Sequence, residues 1–193
     1  VRRAKIIPKE ISLPDKETFE RWLGVIDKAR SRWGHRSGQT VRFLAYSGLR
    51  RLTEAALVKW GDIDFDGKFI HVKGDPATRT KNWSTRRVPF NPKLEELLQA
   101  MRGERADEPL SSRVLEGIDP TKQMHFASDH LGIPRIKPKD LRDWFGTICV
   151  ESGVNIPTVA KWMGHKDGGA LLMRTYTHIR DEYSQELAKK VNF

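Results

Sequence analysis

The sequence predicts a mainly α-helical domain with a small antiparallel β-sheet or hairpin, an α+β architecture. Three observations predict it. Apolar residues recur at helical spacing along most of the chain, the period drops to two only between about residues 68 and 90, and Gly, Pro or Asn stands where each pattern stops. With 193 residues, 38% hydrophobic and 31% charged, the chain has the size and balance of one domain with its own core.

Residues 1–12 are basic and irregular, interrupted by Pro8, and read as an arm or the remnant of an interdomain linker. Residues 13–193 read as one domain. From Pro14 the spacing of Phe19, Trp22, Leu23 and Ile26 predicts an amphipathic helix with Pro14 in its first turn and Trp33-Gly34 at its close. A second helix carries Val41, Leu44 and Ala45 and stops near Ser47-Gly48. A third is expected from Arg50–Arg51 through Leu52, Ala55 and Ala56 to Trp60, broken by Gly61-Asp62-Ile63-Asp64. Phe69-Ile70-His71-Val72 is rich in β-formers, Gly74-Asp75-Pro76 is turn chemistry, and Arg87-Val88-Pro89-Phe90 reads as the returning strand, with Lys81 near the middle of the hairpin.

Asn91-Pro92 opens a helix through Leu94, Leu97, Leu98 and Met101, with Asn as cap and Pro in the first turn. Arg102–Pro109 reads as a polar loop, and Asp119-Pro120 starts a helix ending by Gly132. Pro138–Ser152 is a long helix closed by Gly153, and Asn155-Ile156-Pro157 begins a short one that stops at Gly164. Tyr183, Leu187 and Val191 are spaced as one face of an amphipathic C-terminal helix over 181–193, which could pack on its own domain or on a neighbouring protomer.

The net charge of +10 points to a polyanionic partner. The single cysteine, Cys149, excludes an internal disulfide and a thiolate metal cluster, and its apolar neighbours Ile148 and Val150 suit a buried, inert thiol. His125 and His130 have no partner spacing that suggests zinc. No apolar run reaches membrane-spanning length.

The residues with chemistry to offer come in a telling order. Basic groups at Arg50, Arg51 and Lys81 are followed by Lys139-Asp140-Leu141-Arg142, then Gly164-His165, then Tyr176 in Arg174-Thr175-Tyr176-Thr177-His178. Guanidiniums can hold a phosphate, imidazole or ammonium groups can move protons, and a phenol can attack phosphorus. Taken singly each motif has a plainer reading: a packing tyrosine, a helix cap followed by a solvated histidine, an arginine whose stem covers apolar surface.

Taken jointly, the strings resemble the catalytic domain of the tyrosine recombinases, the phage integrase family, with Lys139 suggesting the integrases of archaeal viruses and plasmids. Ser47-Gly48-Leu49-Arg50 resembles T-G-L-R, and Glu54 through Trp60 to Asp62-Ile63-Asp64 resembles the family's E…L…W-x-D-I-D run. Thr80-Lys81 with Arg86-Arg87-Val88-Pro89 resembles T-K-T…R-x-V-P. Lys139-Asp140-Leu141-Arg142 stands for H-x-L-R, Glu151-Ser152-Gly153-Val154 for its helix exit, Trp162-Met163-Gly164-His165 for L-G-H and Tyr176-Thr177-His178 for Y-T-H. The likeness covers roughly residues 13–180.

The resemblance implies site-specific DNA recombination by cleavage and rejoining of double-stranded DNA. Tyr176 would form a 3′-phosphotyrosyl link and release a 5′-hydroxyl, and since a phenol has a pKa of about 10 its proton must leave as it attacks. Arg142 and an upstream arginine would grip the non-bridging oxygens. Lys81 would protonate the departing 5′-oxygen, and His165 would hydrogen-bond the phosphate or steer protons. The bond energy is kept in the ester, so no cofactor and no metal is expected. A homotetramer on DNA, an upstream DNA-clamping domain and a cytoplasmic, nucleoid-associated location follow from the same likeness.

The departures are informative. Lys139 replaces the usual histidine and shares a helix face with Arg142 at i, i+3, as proton acceptor or as phosphate clamp. Asp143 follows Arg142 where a histidine is common, and reads as a solvated charge or a partner that orients Arg142. The turn Ser47-Gly48-Leu49 favours Arg50 as the first phosphate-gripping arginine, whereas counting back three from Glu54 favours Arg51; insertions are easier in turns, which favours Arg51. Arg79, Arg86 and Arg87, with Arg50, are candidates for contact with DNA. The loop from His165 to Tyr176 contains Gly168-Gly169 and runs longer than in common members, which would let the tyrosine reach its own or a neighbour's site. Two other functions fit the same features: a type IB topoisomerase-like nicking and closing activity, and a DNA-binding relative without catalysis.

Overall fold

The computed structural model describes residues 13–29, 33–73, 85–165, 167–175, 185 and 188–191. The arm at 1–12, Arg79, Lys81, Tyr176 and most of the C-terminal helix expected over 181–193 lie outside the described residues.

Helix α1, Lys16–Asp27, starts because the Asp15 carboxylate accepts the Thr18 amide at 2.7 Å. Pro14 therefore lies just ahead of the cap rather than in the first turn. The stripe Phe19, Trp22, Leu23 and Ile26 is fully buried. Trp22 Nε1 donates to Ser128 Oγ at 3.0 Å and to the Met124 carbonyl at 3.2 Å, which fixes α1 on α4, Thr121–His130. Phe19 stacks on Trp144 with ring centroids 3.9 Å apart, which fixes it on α5, Pro138–Glu151.

Helix α2, Gly34–Ser47, begins at the glycine expected to close the first helix. It ends at Gly48, whose left-handed φ of 64° suits a residue without a Cβ, and whose amide donates to the Leu44 carbonyl at 3.1 Å. A Cβ on Gly48 would stand 2.4 Å from the Phe145 ring, so the chain must be glycine here for α2 to end against α5.

The helix expected from Arg50 to Trp60 does not form. Residues 51–54 make a turn, followed by short 3₁₀ segments at Ala55–Leu57 and Trp60–Asp62. Three competing bonds explain the difference. The Glu54 carboxylate folds back to accept the Arg50 amide at 2.9 Å, and the backbone at 58–60 pairs with a distant strand-like segment, Val114 donating to Val58 at 2.9 Å and Trp60 to Ser112 at 3.0 Å. The segment expected only to break a helix also supplies a strand, β1, Ile63–Asp64.

The sheet runs β1–β2–β3 with β2 at Phe69–Val72 and β3 at Arg86–Pro89, all antiparallel. Ile70 pairs with Val88 and Val72 with Arg86, so alternation puts Val88 and Arg86 on the buried face with Ile70 and Val72. Arg87 faces the other way, exposed, with its guanidinium 5.1 Å from the centre of the Phe69 ring.

Helix α3, Pro92–Glu104, opens as expected, with the Asn91 side chain accepting the Leu94 amide at 3.0 Å. It runs further than the pattern suggested, into the segment read as a polar loop. Helix α5 starts where Pro138 and Asp140 place it, the Asp140 carboxylate accepting the Lys137 amide at 2.8 Å. Helices α6, Ile156–Met163, and α7, Ala170–Thr175, complete the described fold.

Two apolar clusters form. The larger joins α1 to α5 and the sheet; the smaller consists of Phe145, Val150, Val159, Ala160, Met163 and Leu172, from α5, α6 and α7. Helix α5 belongs to both, since Leu141 and Trp144 enter the first and Phe145 and Val150 the second. Arg142 lies at this seam.

Candidate active site

Three arginines, from the turn at 50–54, β3 and α5, converge on one carboxylate. Glu54, with a side chain 10% exposed, receives both ends of the Arg86 fork at 2.9 Å each, and Arg50 Nη1 at 2.8 Å in addition to the Arg50 amide. Arg142 Nη1 stands 3.9 Å from the same carboxylate. Burial pushes the Glu54 carboxyl up, but the Arg86 bonds and charge, aided by Arg50, outweigh it and hold its pKa below the ordinary value. The group is ionised at neutral pH, and the three guanidiniums around it carry two more charges than this one carboxylate cancels.

Arg142 is oriented by carbonyls rather than carboxylates. Its Nη1 donates to Gly48 and its Nη2 to Met163, the latter at 2.5 Å, so the ends of α2 and α6 aim it. With its side chain 12% exposed, burial first, then the charges of Arg50 and Arg86, push its pKa down to about 10, against the pull of Glu54. It keeps its charge at neutral pH. A desolvated guanidinium whose fixed acceptors are neutral has its field available to an incoming anion.

His165 follows Gly164, the left-handed cap of α6 at φ 70°, with its amide bonded to the Ala160 carbonyl at 2.9 Å. Gly164 is held to glycine by its conformation and by Arg86, whose Cζ would lie 3.0 Å from a Cβ there. The half-buried His165 ring is held below its usual pKa, by burial first and then by Arg142 and Arg50, so it is neutral at pH 7. Its Nδ1 is buried without a hydrogen-bond partner among the described residues.

The residues singled out in the sequence therefore divide. Arg50, Arg142, His165 and Arg86 come together. Arg51 does not: it turns to the exposed Asp119 at 2.5 Å. The extra residue between Arg50 and Glu54 is taken up in the turn, so Arg50 rather than Arg51 faces the cluster. Lys139 is exposed one helical turn before Arg142. Asp143 is half-buried rather than fully solvated, with its carboxyl pushed up by burial against the charge of Lys139. Arg86, expected on a DNA-facing hairpin, has a side chain only 11% exposed and is bound inward, while Arg87 is open to solvent.

Tyr176 lies outside the described residues, yet α7 ends at Thr175 beside it. Leu172 of α7 is buried in the smaller cluster, and Met173 donates to the Gly169 carbonyl at 2.8 Å. Glu54 organises this cluster, and the sequence offered it only as one letter of a motif; the signal was a carboxylate four residues after Arg50 and directly ahead of the apolar Ala55-Ala56-Leu57-Val58.

Cys149 is half-buried, its thiol pushed up to about 12, which fits an inert packing role. Among the described residues no cluster of three His, Cys, Asp or Glu side chains could hold a metal, and no helix is long and apolar enough to cross a membrane.

The phage integrase family model matches residues 26–183, most of the chain. This chain belongs to the phage integrase family. Tyrosine recombinase XerA of Saccharolobus solfataricus is 26% identical over 190 residues, covering 95% of this integrase-family chain and 60% of the relative. The chain thus spans less than two thirds of that relative's length. Among solved structures, a XerA recombinase superposes with a TM-score of 0.69 at 19% identity, covering 93% of this chain and 65% of the other. A XerH site-specific recombinase, described as bound to a palindromic difH substrate in a post-cleavage complex, gives 0.67 at 23% identity, covering 93% and 53%. These likenesses establish the helical fold with its small three-stranded sheet as that of tyrosine recombinase catalytic domains.

Proposed function

We propose that this chain is the catalytic part of a site-specific recombinase that cuts and rejoins double-stranded DNA through a 3′-phosphotyrosyl intermediate. The observation that carries the reading is the pair Arg50 and Arg142, set around a shared, saturated Glu54, with the neutral ring of His165 beside them. The pair offers a phosphate fixed positive charge in a half-closed, poorly hydrated place. The relatives named tyrosine recombinase and the XerH structure described with its cleaved substrate support the same chemistry.

In this reading Arg142 and Arg50 grip the non-bridging oxygens and stabilise the charge of the pentacovalent transition state. Tyr176 gives its phenolic proton to the neutral ring of His165 as it attacks phosphorus, and the 5′-oxygen leaves with a proton supplied by Lys81. Lys139 contacts the phosphate from the outer end of the helix face that bears Arg142. Arg87 is the described hairpin residue best placed to lie along the DNA backbone, with Arg79 beyond it in sequence. Arg51, paired with Asp119, contributes no phosphate contact. The working assembly is a homotetramer on DNA in the cytoplasm, associated with the nucleoid.

The test uses duplexes carrying a nick beside the recognised site, incubated with the protein and with its Tyr176→Phe variant, and resolved on denaturing gels. A covalent protein–DNA adduct that disappears in the variant is expected. Firm binding with no adduct from the unaltered protein would sink the reading.

A further inference from the structure

The Glu54 carboxylate is full. An ionised carboxylate accepts about four hydrogen bonds, and Glu54 receives four: Arg86 Nη1 and Arg50 Nη1 on Oε1, Arg86 Nη2 and the Arg50 amide on Oε2, all at 2.8–2.9 Å. Two of the four come from Arg86, whose Nε also donates to the Trp162 carbonyl at 2.8 Å. Gly164 lies against the same guanidinium, near enough that a Cβ would stand 3.0 Å from Cζ. Arg86 is thus pinned by β3, by Glu54 and by the C-terminal end of α6, with every nitrogen of its fork engaged.

We propose that Arg86 is a positioning residue for strand cleavage: by filling both oxygens of Glu54 it keeps that carboxylate off Arg142. The inference rests on the reading of Arg50 and Arg142 as the phosphate grip. Arg142 already stands 3.9 Å from Oε2, within ion-pair range and short of a hydrogen bond. Without Arg86, two acceptor positions fall empty in a buried carboxylate, one on each oxygen; Arg50 is already bonded on the Oε1 side, and Arg142 is the guanidinium that stands off Oε2 without yet bonding it. A buried, unpaired carboxylate is costly enough to drive that closure. Arg142 would then be neutralised by its own protein before any phosphate arrived. Arg86 itself need never touch DNA.

The arrangement also carries information between parts of the fold. Arg86 stands at the end of the strand returning from the segment that holds Lys81, and its Nε bond reaches the carbonyl two residues before Gly164-His165. One guanidinium therefore sets the relation of β3 to the turn bearing Arg50 and to the residues bearing His165.

The experiment compares adduct formation at saturating nicked duplex for the unaltered protein, Tyr176→Phe, Arg86→Met, Arg86→Lys and the double variant Arg86→Met/Glu54→Gln, with folding checked by circular dichroism. Arg86→Met should slow the adduct roughly a hundredfold, the loss usual when one charge-stabilising group is withdrawn. The double variant has no carboxylate to capture Arg142 and should recover at least tenfold over Arg86→Met. A direct DNA contact by Arg86 gives no such recovery, so a double variant as slow as Arg86→Met, or slower, overturns the proposal, as does a recovery that merely tracks a restored melting temperature, which would make the role of Arg86 structural. The His165 titration followed by NMR should rise in Arg86→Met, through the lost Arg86 charge and further as Arg142 is neutralised, and an unchanged or lower midpoint counts against it. Should Arg86→Met not fold, Arg86→Lys decides: it leaves one Glu54 oxygen short of donors and should be slowed, and an undiminished rate overturns the idea. An unaltered protein that yields no Tyr176-dependent adduct would bring down the functional reading, and this inference with it.

Discussion

Replacing Gly48 by alanine separates two effects that a glycine usually confounds. Its φ of 64° is left-handed, where a Cβ costs roughly 1–2 kcal/mol. An added Cβ would also stand 2.4 Å from Phe145 Cδ1 and 2.8 Å from Cε1 and Cγ, an overlap that a ring fixed between α5 and the smaller cluster relieves only by moving. Overpacking of that kind adds about 1–3 kcal/mol. Gly132 supplies the control, with the same φ of 64° and nothing within 4 Å of its added Cβ. Alanine gains back roughly 0.4–1 kcal/mol at either site through the unfolded chain. The Gly132→Ala variant should therefore lose at most about 1–2 kcal/mol, and Gly48→Ala about 1–3 kcal/mol more. At roughly 2–4 °C per kcal/mol for a chain of this size, the two melting temperatures should differ by several degrees. Thermal unfolding by circular dichroism measures it. Because the Gly48 carbonyl orients Arg142, adduct formation should fall in Gly48→Ala even where the fold survives. Equal melting temperatures for the two variants would refute the argument that contact with Phe145, and not φ alone, fixes this glycine.

Arg50→Gln should slow adduct formation roughly a hundredfold, whereas Arg51→Gln, which breaks only a surface pair with Asp119, should stay near the unaltered rate; single-turnover kinetics showing the opposite order would restore Arg51 to the phosphate. Glu54 has a folded pKa below its ordinary 4.5, so its stabilising effect is complete above that value and is lost as pH falls through the depressed one. In urea titrations at a series of acidic pH values, Glu54→Gln should accordingly be less stable at neutral pH and should flatten the acid limb; an acid limb identical to that of the unaltered protein would contradict the ionised assignment. His165 should titrate below 6.5 by NMR and move upward in Arg142→Gln, since removing that charge eases protonation; a midpoint unmoved by Arg142→Gln would mean that the two groups do not face each other.

Much of the fold was readable because local chemistry and global packing agree. Asp15, Asn91 and Asn155 each cap the helix that follows them, and Gly48 and Gly164 each end one in the left-handed region. The stretch from Arg50 to Trp60 misled for a physical reason. Its apolar spacing is helical, but long-range pairing of Val58 and Trp60 with residues 112–114 wins. The site was legible as an inventory and not as a register. Arg50 and Arg51 differ by one position in a turn, where spacing from Glu54 does not determine which side chain faces inward. Arg86 was the more avoidable case. It sits two residues before the buried Val88, and strand alternation alone puts both on the same face.

The seam between the two apolar clusters has a thermodynamic consequence. Arg50 and Glu54 are mounted on the larger body, while the Met163 carbonyl and His165 belong to the smaller, with Arg142 on the helix they share. A body of six buried side chains has little surface to hide and can loosen while the rest stays folded. A phosphate gripped by Arg50 and Arg142 beside His165 would stitch the two bodies together, so ligation should convert two partly independent unfolding units into one. Substrate occupancy would thus be read out as cooperativity, in the slowed amide exchange of α6 and α7, before any bond in the DNA is broken.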